Sequence, residues 1–141
     1  MAGAEITQND LKDMQDRLAR ATSQSHKLLA IEVWGNIRQN APQDHGRLAG
    51  SFTLSGGDTE SVVGSAVEYA AVQEEGRGPY RIYPKNGPRM VFQIHGSWVT
   101  ITDYIDHPGI PAKKYIARSI EDAQRRVPDF VTTALRQEGL A

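Results

Sequence analysis

Three glutamates and a tyrosine lie close together near the middle of the chain. They are Glu68, Glu74 and Glu75, with Tyr69 directly after the first. Paired carboxylates can act as general acid and base when one of them is buried and keeps its proton at a raised pKa. A small hydrolase around Glu74, Glu75 and His107 is therefore one hypothesis, and a pH–rate profile on a substrate would be its minimum support. A solvated helical face or an intersubunit contact explains the same charges better, because acidic side chains are mostly exposed.

The other residues capable of chemistry lack the spacing that known reaction centres use. None of the histidines has His-x-x-x-His spacing, so a zinc site would need ligands from distant segments. Ser51 and Ser65 each follow a glycine but lack the Gly-x-Ser-x-Gly pattern of a nucleophile elbow. We therefore expect no catalytic residue, no metal and no cofactor, in a protein that is not an enzyme. The four histidines are His26, His45, His95 and His107.

The segment from Gly76 to Arg89 combines cations, aromatic rings, glycine and proline. Arginine and lysine suit phosphate groups, and aromatic rings can stack on bases. The same composition is typical of a long exposed loop whose tyrosines cover apolar surface while its cations stay hydrated. A DNA-facing loop and a loop for protein contact both stay open, and we expect the segment to be mobile in the free monomer. The residues concerned are Arg77, Tyr80, Arg81, Tyr83, Lys85 and Arg89.

Length and composition indicate a single globular domain over residues 1–141, with residues 1–8 flexible. The 141 residues are 39% hydrophobic and 23% charged, which argues against a disordered or a membrane chain. A formal charge of −1 means that any contact with DNA has to be local. Without cysteine there are no disulfides and no thiolate metal sites. The N-terminus shows no export signal and no run of about 18 apolar residues occurs, so neither export nor membrane insertion is expected.

The first forty residues have the apolar period of a long amphipathic helix that covers a sheet. We predict this helix from about Asn9 to Asn40. Thr7 and Asp10 have the spacing of a capping box, and Pro42 disfavours helical geometry just after the predicted end. The apolar positions are Leu11, Met14, Leu18, Ala21, Leu29, Val33 and Ile37.

Two pairs of β-prone runs follow the helix. Residues 51–54 and 61–64 flank a Gly-Gly-Asp turn and predict a hairpin. Residues 90–94 and 98–102 flank His-Gly-Ser and predict a second strand pair. Alternation in both pairs indicates one buried and one wetter face. Strands between terminal helices give an α+β fold with a long N-terminal helix, a mostly antiparallel sheet and a C-terminal helix.

The C-terminal part is again helical, from near Ala112. Pro128 either kinks this helix or starts another one. Before it, the run His107-Pro-Gly-Ile110-Pro is expected to be a rigid connection in which His107 and Ile110 are extended or in turns, because each precedes a proline. Lys113 and Lys114 are poorly placed for the dipole at a helix start, which indicates an acidic partner surface.

Three segments, in this order, resemble the gene-product-ten-like family of tail components, the neck and tail-completion proteins of long-tailed phages. Residues 41–51 read Ala-Pro-Gln-Asp-His-Gly-Arg-Leu-Ala-Gly-Ser, where the family has Ala-Pro-Val-Asp-Thr-Gly-Arg-Leu, a small residue and Ser. Residues 64–76 match its segment of Tyr-Ala, Val, Glu and Gly. The third match runs from residue 82 to 94 and continues at 107–116, where Lys-Lys-Tyr replaces the common Arg-Pro-Phe.

This resemblance implies a ring-forming virion protein of the head–tail junction, assembled in the bacterial cytoplasm. Its partners would be further copies, head-completion or connector proteins, and the tail terminator or tail tube, with non-specific contact to DNA in the channel and no membrane. The family brings no catalytic residue. A tail terminator or tail-tube-like ring protein and a small phage DNA-binding module remain alternatives.

A closed ring needs two different complementary patches on each subunit. Residues of the matching segments are the candidates for contact with a neighbouring subunit or partner. They are Asp44, Arg47, Glu68, Tyr69, Glu74, Glu75, Lys113, Lys114 and Tyr115.

Overall fold

The computed structural model describes residues 3–43, 46–85 and 87–141. This part of the chain contains five helices and six strands, which confirms the α+β class. The helices are α1 (Gln8–Asn40), α2 (Arg47–Ser51), α3 (Tyr69–Glu75), α4 (Tyr115–Gln124) and α5 (Val127–Gln137). The strands are β1 (Thr53–Gly56), β2 (Ser61–Gly64), β3 (Tyr80–Ile82), β4 (Met90–Ile94), β5 (Ser97–Ile101) and β6 (Ile105–His107).

The chain divides into two compact units. The larger unit comprises Met1–Ala70 and Tyr115–Ala141, and the smaller unit comprises Ala71–Lys114. The larger unit contains α1, α2, α4, α5 and the β1–β2 hairpin, and the smaller unit contains the other four strands. The expected single domain over residues 1–141 stays a prediction.

The ends of α1 agree with the signals in the sequence. Thr7 accepts a hydrogen bond from the backbone N–H of Asp10, and the carboxylate of Asp10 accepts one from the backbone N–H of Thr7, which completes a capping box. Ala41 leaves helical geometry with ψ at 142°, as expected for a residue before proline. The predicted limits, Asn9 to Asn40, therefore differ from the observed helix by one residue.

Along most of its length α1 packs against α4, α5 and the β1–β2 hairpin rather than against a broad sheet. Glu32 binds Arg126 at 2.8 Å, and Arg20 binds Glu138 at 3.0 Å. Among the residues of α1 only Ala21 and Ile37 are buried. The expectation that this helix covers a sheet is therefore corrected, because helices and a two-stranded hairpin pack on it and every residue from Gln8 to Asp16 is exposed.

The core of the larger unit lies around Tyr115, the first residue of α4. Its side chain is fully buried, and its hydroxyl donates a hydrogen bond to the carbonyl of Ala70 at 3.0 Å. The ring of Phe52 meets it edge to face, with centroids 6.0 Å apart. The remaining buried members of this cluster are Ile37, Ala41 and Leu48.

The strands form three separate antiparallel pairs: β1 with β2, β3 with β6, and β4 with β5. Both predicted hairpins are confirmed, with Thr53 opposite Gly64 and Met90 opposite Ile101. The first strand begins at Thr53 rather than Ser51, because the residues before it form the short helix α2. The pairing of β3 with β6 was not predicted.

The C-terminal region contains two helices. The first begins at Tyr115 rather than near Ala112, since the preceding backbone is occupied in hydrogen bonds to Gln73 and Glu74. Pro128 lies in the first turn of α5, where a proline needs no hydrogen-bond partner for its nitrogen, so it starts a second helix rather than kinking the first.

Candidate nucleic-acid interface on the β3–β6 strand pair

The smaller unit brings two arginines together with four aromatic or imidazole rings. The pairing of β3 with β6 places Tyr80 opposite His107 and Arg81 opposite Asp106. Because successive side chains of a strand point to opposite faces, Tyr80 and His107 share one face of this strand pair, and Arg81 and Asp106 share the other. We call the whole group the Arg–Tyr cluster, which consists of Arg77, Tyr80, Arg81, Tyr83, Tyr104, Asp106 and His107.

On the first face, Tyr80 is held between a ring and a cation. The imidazole of His107 stacks on it with centroids 4.7 Å apart and an angle of 22° between the planes. The guanidinium carbon of Arg77 lies 3.8 Å from the centre of the same phenol ring. A guanidinium at this distance over an aromatic ring is attracted by the negative face of the ring. The cation of Arg77 is thus positioned by the strand pair.

On the second face, Arg81 is the central residue. Its Nε donates to Asp106 at 3.1 Å, and its guanidinium carbon lies 4.2 Å from the centre of the Tyr104 ring. The rings of Tyr104 and Tyr83 are 5.8 Å apart. Hydrogen bonding to Tyr83 first and to Asp106 second raises the pKa of Arg81, so this side chain stays a cation at every physiological pH.

The segment that follows β6 holds Arg77, the first residue of the Arg–Tyr cluster, through backbone contacts. Arg77 and Ile110 exchange two hydrogen bonds, at 2.8 and 2.7 Å. Gly109 has a φ of 92°, and a Cβ atom at this position would lie 2.4 Å from the carbonyl oxygen of Arg77. Its N–H donates a hydrogen bond to Nδ1 of His107 at 3.0 Å, which ties the imidazole to the turn that follows β6. The expectation that His107 and Ile110 are extended or in turns is confirmed, because His107 ends β6 and Ile110 forms an isolated β-bridge with Arg77.

A surface cavity of about 270 Å³ lies beside the cluster and is lined by Pro79, Tyr80, Arg81, Asp106 and His107. The guanidinium of Arg81 and the carboxylate of Asp106 lie side by side in its lining. Stacking of a base on Tyr80 would have to displace Arg77 or His107 from contact with its ring. At Arg77 a phosphate group needs no such displacement, because it binds the edges of a guanidinium rather than an aromatic face, whereas at Arg81 it would compete with Asp106. The arrangement therefore suits contact with a phosphate backbone better than stacking on bases.

The expected loop from Gly76 to Arg89 is only partly a loop. The structure brings together Arg77, Tyr80, Arg81 and Tyr83, whereas Lys85 and Arg89 lie in the connection to β4, outside the paired strands. This expectation is corrected for residues 80–82, which pair with β6 through backbone hydrogen bonds. Sequence reasoning missed Tyr104 and Asp106, because nothing local indicates that residues 105–107 pair with residues 80–82.

The candidates for partner contact are distributed over both units. Arg47 lies 5.9 Å from the centre of the Tyr69 ring, so these two form a cation–π contact. Lys113 and Lys114 donate backbone hydrogen bonds to the carbonyls of Gln73 and Glu74, and both side chains are exposed. Glu68 and Glu75 are also exposed, and Glu74 is half-buried. Asp44 lies outside the described residues.

The interface role expected for Tyr115 is corrected. Its side chain is 0% exposed, since Phe52 and the backbone of Ala70 enclose it within its own unit. No surface of this ring is left for a partner.

A second cavity lies in the larger unit. It measures about 310 Å³, and its walls are apolar side chains of α1, β2 and α4, including Leu29, Val33 and Ile120. Nε2 of His26 and Oγ of Ser61 are 2.8 Å apart at this cavity. The distance fits a nucleophile–base pair, and the same bond also links the β1–β2 hairpin to α1.

Within residues 3–43, 46–85 and 87–141, no group of three or more histidine, aspartate or glutamate side chains is arranged to hold a metal ion. In the same part of the chain, no helix has the length and apolar character needed to cross a membrane. Comparisons of the chain with protein-family models, with curated proteins and with solved structures find no match.

Proposed function

We propose that this chain is a structural subunit of the head–tail junction of a long-tailed phage. It forms a ring with further copies and joins head-completion proteins to the tail terminator or tail tube. The subunit acts through its surfaces.

This proposal rests on one observation: the three segments that resemble the phage family meet in the core of the larger unit. Each of them contributes at least one buried residue to the same cluster: Ala41 and Leu48 come from the first, Ala70 from the second and Tyr115 from the third. Leu48 is 1% exposed and Tyr115 is 0% exposed. Residues that lie so far apart in sequence and meet in one core specify a scaffold, which supports treating the three segments as parts of one family pattern.

The charges of the two units also fit a subunit that contacts its own copies. The larger unit has ten lysines and arginines against thirteen aspartates and glutamates, and the smaller unit has six against four. Their formal charges are therefore −3 and +2. Opposite charges on two parts of one subunit favour head-to-tail contact between copies, which is the type of contact that closes a ring.

Deletion of the gene tests the proposal. The expected result is filled heads and complete tails that fail to join, visible by electron microscopy. Supplying the wild-type chain in trans restores joining, whereas a chain with Lys113→Ala and Lys114→Ala folds normally and restores it less well. Normal infectious particles without the chain, or arrested DNA replication, would refute the junction role. Normal joining with the double variant would remove only the two lysines from the contact surface.

A second candidate function is a small DNA-binding module, and the Arg–Tyr cluster is the observation that favours it. Arg77 and Arg81 are held by ring contacts at 3.8 and 4.2 Å, which reduces the conformational freedom lost on binding a phosphate. Measuring the affinity for a duplex at several salt concentrations tests this function. Replacing either arginine by alanine should reduce the salt slope by about one unit, because one phosphate contact is lost.

Arg125→Ala is the matched control, because it removes an exposed cation from the larger unit. Equal loss of affinity in the control and in the cluster variants would show that only net charge matters. Absence of any binding at low salt would exclude the module.

A further inference from the structure

The first part of α1 carries three exposed apolar side chains on one face. Leu11 is 58% exposed, Met14 49% and Leu18 46%. We call these three residues the exposed stripe. Large apolar side chains scattered singly on a surface are normal, but three neighbours on one helix face form a patch that suits a partner.

Two residues of the stripe, Leu11 and Met14, lie on a part of α1 that extends past the end of α5, and Leu18 lies beside the contact with it. Glu138, just after the end of α5, accepts a hydrogen bond from Arg17 at 3.2 Å through its carbonyl and binds Arg20 through its carboxylate. Every residue from Gly3 to Asp16 is exposed. At about 1.5 Å per residue, Gln8–Asp16 forms a projection of roughly 13 Å.

The spacing of the stripe identifies the shape of its partner. Leu11, Met14 and Leu18 are separated by three and four residues, which corresponds to positions a, d and a of a heptad. The next d position is Ala21, which is 4% exposed and already packed within the larger unit. The stripe thus leads directly to a position at which α1 packs within its own unit. A seam of this period packs against another helix.

The charges beside the stripe identify that helix as a second copy of α1. Asp10 and Arg17 occupy the two g positions that flank the seam. In an antiparallel pair of helices g positions face each other, so Asp10 of each copy meets Arg17 of the other. A parallel pair would instead place them opposite the neutral e positions, Gln15 and Thr22. We propose that two copies of the chain pair antiparallel through the exposed stripe.

Within one chain, Arg17 already has two partners that the exchange would have to replace, the carbonyl of Glu138 at 3.2 Å and the carboxylate of Asp13. It binds Asp13 at 2.9 Å, with 41% and 61% of the two side chains exposed. Such a pair contributes little to stability, because water screens it and two flexible side chains are ordered. Three side chains per copy bury less than the roughly 1,200–2,000 Å² of a stable interface, so we expect weak, concentration-dependent pairing.

This inference does not rest on the proposed function. An antiparallel pair uses the same surface on both copies, whereas a closed ring uses two different surfaces, so the pair is a separate contact. It is measured on the purified full chain, and its failure leaves the junction role untouched.

Sedimentation equilibrium over a wide concentration range tests the pairing. We expect a monomer–dimer equilibrium that Met14→Glu weakens at least tenfold. Ile31→Glu is the matched control, because Ile31 is a similarly exposed residue of α1, at 54%, outside the stripe. A wild-type chain that stays monomeric at all concentrations would overturn the proposal, as would equal effects of the two variants.

Exchanging the charges at positions 10 and 17 tests whether the partner helix is a second copy of α1. Asp10→Arg and Arg17→Asp should each weaken the dimer about tenfold, because each places like charges opposite one another. An equimolar mixture of the two single variants should associate again as a heterodimer, and the double variant should associate with itself. Asp10→Arg also removes the capping box, and the double variant lacks this box as well. If the double variant regains self-association, the weaker dimer of the single variant is therefore due to charge repulsion and not to the lost cap. Failure of the mixture to form heterodimers would refute antiparallel pairing.

Discussion

The two units of this chain are stabilised in different ways. Every buried residue among those described belongs to the larger unit, where Leu48, Phe52 and Tyr115 are at most 4% exposed. The described residues of the smaller unit include none that is buried. Its strands are two-stranded pairs, which are marginal by themselves in water. The larger unit therefore depends on side-chain burial, and the smaller unit depends on backbone pairing, ring contacts and one close backbone approach.

This difference indicates where substitutions affect stability and where they affect binding. Removing atoms from a packed core costs the lost burial and leaves a cavity. Removing an exposed side chain usually changes the free energy of unfolding by less than about 0.5 kcal/mol. We therefore expect the larger unit to set the stability of the chain and the smaller unit to supply adaptable, cationic surface.

Tyr115→Ala gives the largest expected effect. It should lower the free energy of unfolding by about 3–5 kcal/mol, because a fully buried ring is lost from the centre of the cluster. Tyr115→Phe should cost only about 1 kcal/mol, since it removes the hydrogen bond to Ala70 and keeps the ring. Urea denaturation monitored by tryptophan fluorescence measures both. The control is Tyr83→Ala, which removes a 54% exposed ring from the smaller unit. Similar losses at Tyr115 and Tyr83 would contradict the comparison.

Gly109→Ala should have a smaller and local effect. A Cβ at this position would lie 2.4 Å from the carbonyl oxygen of Arg77, and its φ of 92° is unfavourable for alanine. We expect a local loss of about 1–3 kcal/mol, measured as faster hydrogen exchange at the amides of Arg77 and Ile110. The amide of Ile37 in the larger unit should exchange as before.

Gly78→Ala is the control for this substitution, because a Cβ there meets no atom within 4 Å and no positive φ is involved. If Gly109→Ala also accelerated exchange throughout the larger unit, the two units would not respond independently. If Gly109→Ala changed no exchange rate, the close approach of Gly109 to the carbonyl of Arg77 would not be what holds β3 and β6 together.

What the sequence predicts well are features with local causes. The limits of α1 follow from the capping box at Thr7 and from Pro42, and the β4–β5 hairpin follows from alternation around a His-Gly turn. These signals lie within a few residues of the structure they specify. The start of a second helix at Pro128 is of the same kind, although the sequence left two alternatives open.

The parts that the sequence does not predict depend on distant contacts. The Arg–Tyr cluster exists because residues 80–82 pair with residues 105–107 across a long intervening segment. Local composition indicated a loop at one strand and a turn at the other, so Tyr104 and Asp106 were missed. The burial of Tyr115 could not be read from its motif either, because a lysine pair before it suggested a surface.

The smallest expected effect is the response of the first turn of α1 to pH. It distinguishes the exposed start of this helix from the packed part of the larger unit. Hydrogen bonds from the backbone N–H of Thr7, first, and from its hydroxyl, second, lower the pKa of Asp10. A carboxylate with a folded-state pKa below its unfolded value stabilises the helix end at neutral pH. This stabilisation is complete above the ordinary aspartate value of about 4 and is lost as the pH falls through the lower folded value.

We therefore expect the first turn of α1 to fray as the pH falls through the lowered pKa of Asp10, while the cluster around Tyr115 stays intact, because no titrating carboxylate belongs to that cluster. NMR titration of the Asp10 carboxyl, with the amide shifts of Asp10 and Leu11, measures this. Thr7→Ala should move the pKa of Asp10 only part of the way back, since the larger contribution comes from a backbone N–H that alanine retains. An Asp10 that titrates at the ordinary value in the wild-type chain would show that the capping box does not persist in solution. The exposed stripe would then lie on a helix end that is frayed at every pH, and pairing through it would have to include the cost of forming that turn.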